Sequence, residues 1–161
     1  MQIRQAKNQD IEIIETLYFN KIEQLAQQGL RQWEKEEVTW KEMSQEYDIS
    51  NFYLVYQKDK AVGAFVIIDY DPTYWLEDQP QEALYIHKVM VDDSVKKQGI
   101  SDAILTFFKE EGKRRGYPVV KLDVREHKEK LRSFYERNGF KLVRIVDLHK
   151  GYLTALYEYR L

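Results

Sequence analysis

One short loop combines residue types that can bind phosphate. Its sequence is Lys96-Lys97-Gln98-Gly99-Ile100-Ser101. It follows the apolar segment Leu84–Val91, which is typical of a strand, and it precedes an amphipathic helical pattern. A strand that ends near a glycine and leads into a helix directs successive backbone N–H groups toward one small volume, where an anion can bind. The loop therefore predicts a pyrophosphate-binding site.

The glycine pattern narrows the kind of phosphate site. The loop has a single glycine, whereas a Walker loop or a dinucleotide fingerprint requires two or three at fixed spacing. An ordinary turn with solvated lysines is an alternative when the loop is taken alone. An ATP-binding loop is a weaker alternative, because there is no second glycine and no lysine followed by a magnesium-binding Ser or Thr.

A second segment, residues 122–140, predicts the end of a strand and then a helix. The helix carries Leu131, Phe134 and Tyr135 on one face, and Asn138-Gly139 is suited to end it in a left-handed conformation. In this order of elements the chain resembles the GNAT family, the acetyl-CoA-dependent N-acetyltransferases. The resemblance is close from about residue 83 to 140.

Two motifs carry the resemblance. The family's pyrophosphate signature, Gln/Arg-x-x-Gly-x-Gly/Ala, aligns with residues 96–101, and Phe134-Tyr135-Glu136 is similar to the family's second cofactor segment. The chain departs from the signature at Lys96 and at Ser101. It also has no asparagine near Lys128, where the family often places one against the pantetheine arm.

The alternation of strand and helix patterns predicts a mixed α/β sheet. We expect strands at 1–6, 51–57, 61–70, 84–91, 119–124, 140–147 and 152–160. Asn8 is expected to cap a first helix that runs to about Gly29, and the capping box that begins at Thr39 is expected to start a second. Further helices are expected after the glycine loop and around Tyr135. The resemblance implies a mixed α+β fold: a GNAT-like, mostly antiparallel sheet of six to seven strands flanked by about four helices. A single domain over residues 1–161 is expected.

Composition excludes several classes of protein. The net charge of −2 gives no global reason to expect nucleic acid, and neither a membrane-spanning run nor a signal peptide is evident. We therefore expect a cytoplasmic protein without membrane or nucleic-acid partners. There are no cysteines, which rules out a cysteine nucleophile and favours direct transfer in a ternary complex. No metal is expected, because His87, His127 and His149 show no ligand spacing.

The resemblance implies acetyl-CoA as co-substrate and assigns residues to it. The main chain around the glycine would bind the pyrophosphate, and the strand before it would bind the pantetheine arm. A main-chain N–H near Val89 or Met90 is the natural donor to the developing oxyanion. The cofactor-binding residues predicted in this way are Val89, Met90, Val91, Lys96, Lys97, Gln98, Gly99, Ile100, Ser101, Asp102, Lys128 and Phe134.

Tyr135 and His87 are the predicted catalytic residues. The family frequently places a tyrosine at the position of Tyr135, where a protonated phenol can supply a proton to the departing thiolate. Tyr135 is also one of twelve tyrosines, so simple packing is the alternative. His87 lies where some members carry a glutamate base, and an imidazole titrates near neutral pH. A strand histidine satisfied by its neighbours is the alternative there.

The sequence determines the acceptor substrate less well than any other part of the function. The resemblance implies a primary amine, on a small molecule or a peptide, and often a homodimer. The family commonly builds its acceptor pocket from the first two helices and the last two strands. Those segments would supply Tyr18, Phe19, Trp33, Glu37, Trp40, Tyr152 and Tyr157. Five carboxylates between residues 69 and 82 favour a cationic amine such as a polyamine, unless they form a solvated loop. A non-catalytic acyl-CoA-binding or regulatory module on the same fold is the alternative function.

Overall fold

The computed structural model describes residues 1–149 and 151–161, with the side chain of His149 outside the described part. Within that part, no helix is long and apolar enough to cross a membrane. The strands are β1 Gln2–Gln5, β2 Phe52–Gln57, β3 Lys60–Ile68, β4 Leu84–Val91, β5 Val119–Arg125, β6 Lys141–His149 and β7 Tyr152–Arg160. The helices are α1 Ile11–Gln27, α2 Trp40–Glu46, α3 Ile100–Arg114 and α4 Glu129–Arg137.

The strands form one seven-stranded sheet in the order β1-β2-β3-β4-β5-β7-β6. The pairs β1–β2, β2–β3, β5–β7 and β6–β7 are antiparallel, whereas β4 and β5 are parallel. The parallel pairing joins Leu84 to Val120 and Tyr85 to Lys121. The mixed, mostly antiparallel sheet with its helices confirms the fold class predicted from the sequence.

The chain divides into two compact units. The first unit contains residues 1–67 and 88–101, and the second contains residues 68–87 and 102–161. In the first unit, α1 buries Ile14, Leu17 and Tyr18, which are spaced three and four residues apart and so share one face of the helix. In β2, Phe52 and Leu54 are fully buried.

The start of α1 differs from the prediction that Asn8 caps it. Asn8 instead begins a short 3-10 turn, and Asp10 is the residue before α1. The Asp10 side chain is needed elsewhere, because its two oxygens accept from the Arg4 guanidinium at 2.8 and 3.0 Å. The predicted capping residue of α2 is confirmed, since the Thr39 hydroxyl oxygen accepts from the Glu42 N–H at 3.3 Å.

In the second unit, the end of α4 is fixed by the predicted glycine. Gly139 has a φ of 88°. Its N–H donates to the Glu136 carbonyl at 3.0 Å, and the Phe140 N–H donates to the Tyr135 carbonyl at 3.1 Å. These two bonds form a Schellman motif. A Cβ at Gly139 would lie 2.9 Å from the Tyr159 ring, so glycine is required by both backbone and space.

Candidate functional site

The loop after β4 turns twice through the left-handed region. Lys97 has a φ of 62° and Gly99 a φ of 78°, and α3 begins directly afterwards at Ile100. Left-handed residues that alternate with other conformations in a tight turn can direct neighbouring N–H groups into one concavity, and the first N–H groups of a helix add to it. A Cβ at Gly99 would meet no atom within 4 Å, so the backbone on this side is open to a ligand.

The loop's side chains are held by neighbours in the first unit. The Gln57 amide donates to Gln98 Oε1 at 2.9 Å, and Lys96 Nζ lies 3.2 Å from an Asp93 carboxylate oxygen. The Lys97 side chain is exposed, whereas Ile100 is buried. Ile100 can therefore contribute only its main chain to an anion. In the second unit, Asp102 is exposed and accepts from the Asn138 amide at 3.3 Å.

Strand β4 departs from regular strand geometry in its middle, at Lys88. Lys88 has a φ of 51°, which a residue with a side chain rarely adopts within a strand. The Tyr18 hydroxyl donates to the Lys88 carbonyl at 2.6 Å, and Lys21 Nζ donates to the Val91 carbonyl at 2.7 Å. Helix α1 thus bonds the carbonyl that precedes the segment predicted to bind a pantetheine arm and the carbonyl at the end of that segment. Within that segment Met90 is buried, whereas Val89 is half-buried.

Tyr135 lies in an aromatic cluster of the second unit. Its ring centroid is 5.5 Å from that of Phe134, 6.2 Å from Phe140 and 6.5 Å from Tyr157. Burial, assisted by the negative charge of Asp123, raises the pKa of the phenol well above its ordinary value. Among the described residues its hydroxyl has no hydrogen-bond partner. The phenol is therefore protonated at neutral pH, with an unused donor.

His87 is placed between two carboxylates of the second unit. Its Nε2 lies 3.0 Å from Asp71 Oδ2, and its Nδ1 lies 3.4 Å from Asp123 Oδ1. A protonated ring would face a carboxylate oxygen from each of its nitrogens, with a hydrogen bond on the Asp71 side. A neutral ring would have a lone pair facing one of the two carboxylates, and that is the lone pair a general base would use.

Sequence reasoning missed the grouping of Asp71, His87 and Asp123. Their ligand atoms lie within 4.8 Å of one another, a spacing that can hold a cation. Nothing in the sequence spacing signals this cluster, because it joins a loop and two different strands. His87 already contacts both carboxylates, and among the described residues no metal is positively indicated.

Comparison with known proteins decides the family. A family model for the acetyltransferase (GNAT) domain matches residues 21–158. The chain belongs to the GNAT family. Residues 21–158 therefore form an acetyltransferase domain, and the resemblance inferred from the two motifs is confirmed. The GNAT family implies acetyl-CoA as co-substrate. The open turn at Gly99 fits a diphosphate, because main-chain N–H groups can be approached there without a side chain in the way.

Known relatives agree with this assignment. The uncharacterized N-acetyltransferase YesJ of Bacillus subtilis strain 168 is 26% identical over 94 residues, which cover 55% of this chain and 52% of that protein. The chain thus spans about half the length of the curated relative it matches. A GNAT-family acetyltransferase from Listeria monocytogenes 4b F2365 superposes over 99% of this chain and 94% of its own, with a TM-score of 0.76 and 22% identity.

A third relative has the same fold at lower identity. The ribosomal-protein-alanine N-acetyltransferase from Brucella melitensis covers 100% of both chains with a TM-score of 0.74 and 15% identity. At such identities the structural matches show the GNAT fold alone.

The two further cofactor-binding residues predicted for this GNAT chain lie at α4. Lys128 precedes the helix and is half-buried, and burial, reinforced by the Arg125 charge, lowers the pKa of its ammonium. Phe134 is half-buried, and its ring is covered by the Arg137 guanidinium at 6.0 Å. Both positions belong to the second unit.

The carboxylates of residues 69–82 have partners within this GNAT chain. Asp78 accepts from the Tyr85 hydroxyl at 2.5 Å and from Lys121 Nζ at 2.6 Å. Glu77 is bonded by Arg144 at 2.6 Å, and Glu82 accepts from the Gln79 N–H at 2.7 Å. Asp71 contacts His87, and burial, followed by the negative charge of Asp69, raises the pKa of Tyr117. These contacts anchor the loop and oppose its use as a polyamine site.

The aromatic residues predicted for the acceptor fall into both units. In the first unit, Tyr18 meets Trp33 edge-on at 5.3 Å, and Trp40 lies 5.5 Å from Phe52. In the second unit, Tyr152 is exposed, whereas Tyr157 is fully buried. The Tyr157 hydroxyl accepts from Arg132 at 2.9 Å and donates to Glu136 at 2.7 Å. Tyr157 therefore fixes α4 against β7.

Proposed function

We propose that this GNAT enzyme transfers the acetyl group of acetyl-CoA directly to a primary amine in a ternary complex. The observation that carries the proposal is the open double turn at Lys97 and Gly99, followed at once by the start of α3. Acetyl-CoA supplies the thioester, an activated acyl group. The chain offers no cysteine to hold that group in a separate step, which supports direct transfer.

The main chain from Lys97 to Ser101 is proposed to bind the pyrophosphate. Its N–H groups and the helix start act together, and the exposed Lys97 side chain adds a cation at the rim. Lys96, Gln98 and Asp102 are proposed as flanking contacts. Because Gln98 is already bonded to Gln57, its main contribution is to hold the shape of the loop.

The main chain of Val89, Met90 and Val91 is proposed to bind the pantetheine arm. The Val91 carbonyl already accepts from Lys21, so this contact falls to the remaining main-chain groups. An N–H near Val89 or Met90 would polarise the thioester carbonyl. Lys128 and Phe134 remain proposed contacts of the second unit.

Tyr135 is proposed to hold the proton that the leaving thiolate takes up. Its raised pKa keeps it protonated, and its hydroxyl is not committed to another residue of the described part. His87 remains the proposed general base. For that role a water or the amine would have to replace one of its two carboxylate contacts.

An amine panel with acetyl-CoA tests the proposal, with release of free thiol as the readout. The relatives whose names include N-acetyltransferase support an amine acceptor, and the panel should hold small amines and short peptides with free N-termini. Amine-dependent thiol release is expected. Acetyl-CoA binding without release for any amine would instead support the non-catalytic module.

Several expectations from the sequence stay predictions. These are the single domain over residues 1–161, the cytoplasmic location, the lack of membrane and nucleic-acid partners, and the homodimer that the family resemblance suggests. Sedimentation of the purified chain measures its oligomeric state directly.

A further inference from the structure

Half of the large apolar side chains that are exposed in the described part of the chain lie on one hairpin of the second unit. The hairpin consists of β6 and the start of β7. These side chains are 39 to 57% exposed and belong to Leu142, Val143, Ile145, Tyr152 and Leu153. Monomeric proteins rarely leave so many neighbouring apolar side chains uncovered, so the hairpin is a candidate interaction surface.

The pairing of β6 with β7 shows which of these side chains share a face, because residues directly opposite in an antiparallel pair lie on one side of a sheet. Leu142 is opposite Tyr157, and Ile145 is opposite Ala155. Leu153 joins them, since it lies two residues from Ala155 along β7. Tyr157 bonds residues of α4, so the three exposed side chains lie on the α4 face of the sheet. We call Leu142, Ile145 and Leu153 the hairpin patch.

Strand β6 is the last strand of the sheet, so one of its edges has no neighbouring strand in the part of the chain that the structure describes. An open edge can add an extended peptide through main-chain hydrogen bonds. The register of β6 against β7 shifts between Leu142 and Arg144, however, and it shifts again between Val146 and His149. Such bulges interrupt the regular ladder that an added strand needs. The irregular edge therefore opposes strand addition and favours contact through the side chains of the hairpin patch.

The charges along β6 fit a second copy of the same strand. Lys141 and Asp147 lie on either side of Leu142 and Ile145, the two patch residues of β6. Both charged side chains are exposed, and neither forms an ion pair with another described residue. When two copies of β6 run antiparallel about a two-fold axis at Arg144, Lys141 of each copy faces Asp147 of the partner subunit. Both ion pairs then form at once, as the symmetry requires.

Arg144, at the centre of this register, does not oppose it. Its guanidinium bonds both Glu77 oxygens at 2.6 Å and lies over the Trp75 ring, 5.6 Å from the centroid. Arg144 is opposite Leu156, whereas the patch residues are opposite or beside residues of the other face. The charges of the two arginines near the axis are therefore neutralised within each chain and directed away from the patch.

We propose that the hairpin patch is the interface of a homodimer in which β6 meets β6 of a second copy in antiparallel orientation, with Lys141 paired to Asp147 of the partner subunit. An apolar centre with a charged rim is the usual composition of such an interface. A two-fold contact uses the same patch on both copies, so the assembly closes after two chains. The proposal adds a surface and a register to the homodimer expected from the sequence, and it does not depend on acetyl transfer.

Sedimentation velocity of the purified full chain over a dilution series measures the dimer and its dissociation constant. We expect a reversible dimer for the wild type. Ile145→Asp places a carboxylate within the patch, so the dissociation constant should rise by about 30-fold or more, the effect of a hot-spot residue. Leu30→Asp is the matched control, because Leu30 is also an exposed apolar residue but belongs to the first unit. It should leave the dissociation constant unchanged.

A charge exchange tests the register. Lys141→Asp and Asp147→Lys should each weaken the dimer by about tenfold, because each variant replaces two attractive pairs by two repulsive ones. The double variant K141D/D147K should return to within about threefold of the wild type, since both pairs are restored with their signs exchanged. A general effect of net charge would instead act in opposite directions in the two single variants.

A wild-type chain that stays monomeric up to about 0.1 mM overturns the proposal, as does a dimer that Ile145→Asp leaves intact. An assembly of more than two chains, or a double variant as weak as the single variants, overturns the two-fold register. If Ile145→Asp does not fold by circular dichroism, Ile145→Ser replaces it with the same expectations. None of these measurements requires thiol release from acetyl-CoA, so their outcome is separate from that of the proposed function.

Discussion

Burial of the Tyr135 hydroxyl both favours and limits its proposed role as a proton donor. Desolvation raises its pKa, so the proton is present throughout the neutral range. The same shift makes the phenol a weaker acid, so transfer to a thiolate requires that the thiolate also be desolvated. Because no described residue bonds the hydroxyl, it has no evident structural duty.

Tyr135→Phe should therefore separate catalysis from stability. We expect kcat to fall by about 10²-fold or more, the range of general acid catalysis. Acetyl-CoA affinity should change less than about twofold, because the aromatic packing is retained. Steady-state kinetics and calorimetry measure the two quantities. A variant with wild-type kcat at saturating amine would assign Tyr135 to packing alone.

The Arg4–Asp10 pair gives a prediction about acid stability. The Arg4 hydrogen bonds hold the pKa of the buried Asp10 carboxyl below its ordinary value of 3.8. Because the pKa of this carboxyl is lower in the folded than in the unfolded protein, its ionised form stabilises the fold at pH values above the unfolded-state pKa. This contribution is lost as the pH falls through the folded-state pKa.

Asp10→Asn should lower the free energy of unfolding by about 2 kcal/mol at pH 7. The difference between variant and wild type should shrink as the pH falls below about 4. Urea denaturation of both proteins at a series of pH values measures this difference in unfolding free energy. A difference that stays constant down to about pH 2 would contradict the ionic origin of the contribution.

At the scale of elements, the sequence predicted what local patterns specify. The apolar run of β4 was predicted with the bounds observed, and the roles of Thr39 and Gly139 follow from capping chemistry. The left-handed conformations of Lys88 and Lys97 were not predicted. Lysine does not signal positive φ, so these conformations depend on tertiary contacts such as Tyr18 with the Lys88 carbonyl.

The candidate site was predictable in the same way as the elements: a local motif could be placed from the sequence, whereas contacts between distant segments could not. Motif position placed the pyrophosphate loop, and the open backbone at Gly99 agrees with that prediction. The contacts of His87 with Asp71 and Asp123 could not be predicted, because they join segments distant in the chain. Nor could the acidic loop be recognised as anchored, since its partners Lys121 and Arg144 lie far downstream.

Gly99→Ala tests the loop as an element. The substitution places a Cβ on a left-handed residue and in the path of a ligand, so we expect a loss of about 1 kcal/mol in stability. Acetyl-CoA affinity should fall by about tenfold or more. Gly29→Ala is the matched control, since Gly29 also has a positive φ, of 71°, and open space around its Cβ position. Gly29→Ala should lose a similar amount of stability but keep the wild-type affinity for acetyl-CoA. Equal losses of acetyl-CoA affinity in both variants would contradict the assignment of the Gly99 loop to the binding site.

At the scale of the whole molecule, charge is balanced locally rather than globally. Each unit contains its own well-packed ion pair, Arg4 with Asp10 in the first and Lys121 with Asp78 in the second. With a net charge of −2, the protein has no general attraction for anions. Selective binding of one anionic ligand must therefore come from the geometry of a particular loop.

This local origin predicts which phosphate ligands stabilise the full chain. Acetyl-CoA at 100 times its dissociation constant should add about 2.7 kcal/mol to the unfolding free energy, and so raise Tm by about 5–10 °C. ATP at the same concentration should give a much smaller rise, because the loop lacks the glycines and the lysine–serine pair of a nucleotide loop. Tyr135→Phe should keep the acetyl-CoA shift, whereas Gly99→Ala should reduce it. Thermal unfolding measures all four cases, and an ATP shift as large as that of acetyl-CoA would favour the nucleotide-binding alternative over coenzyme recognition.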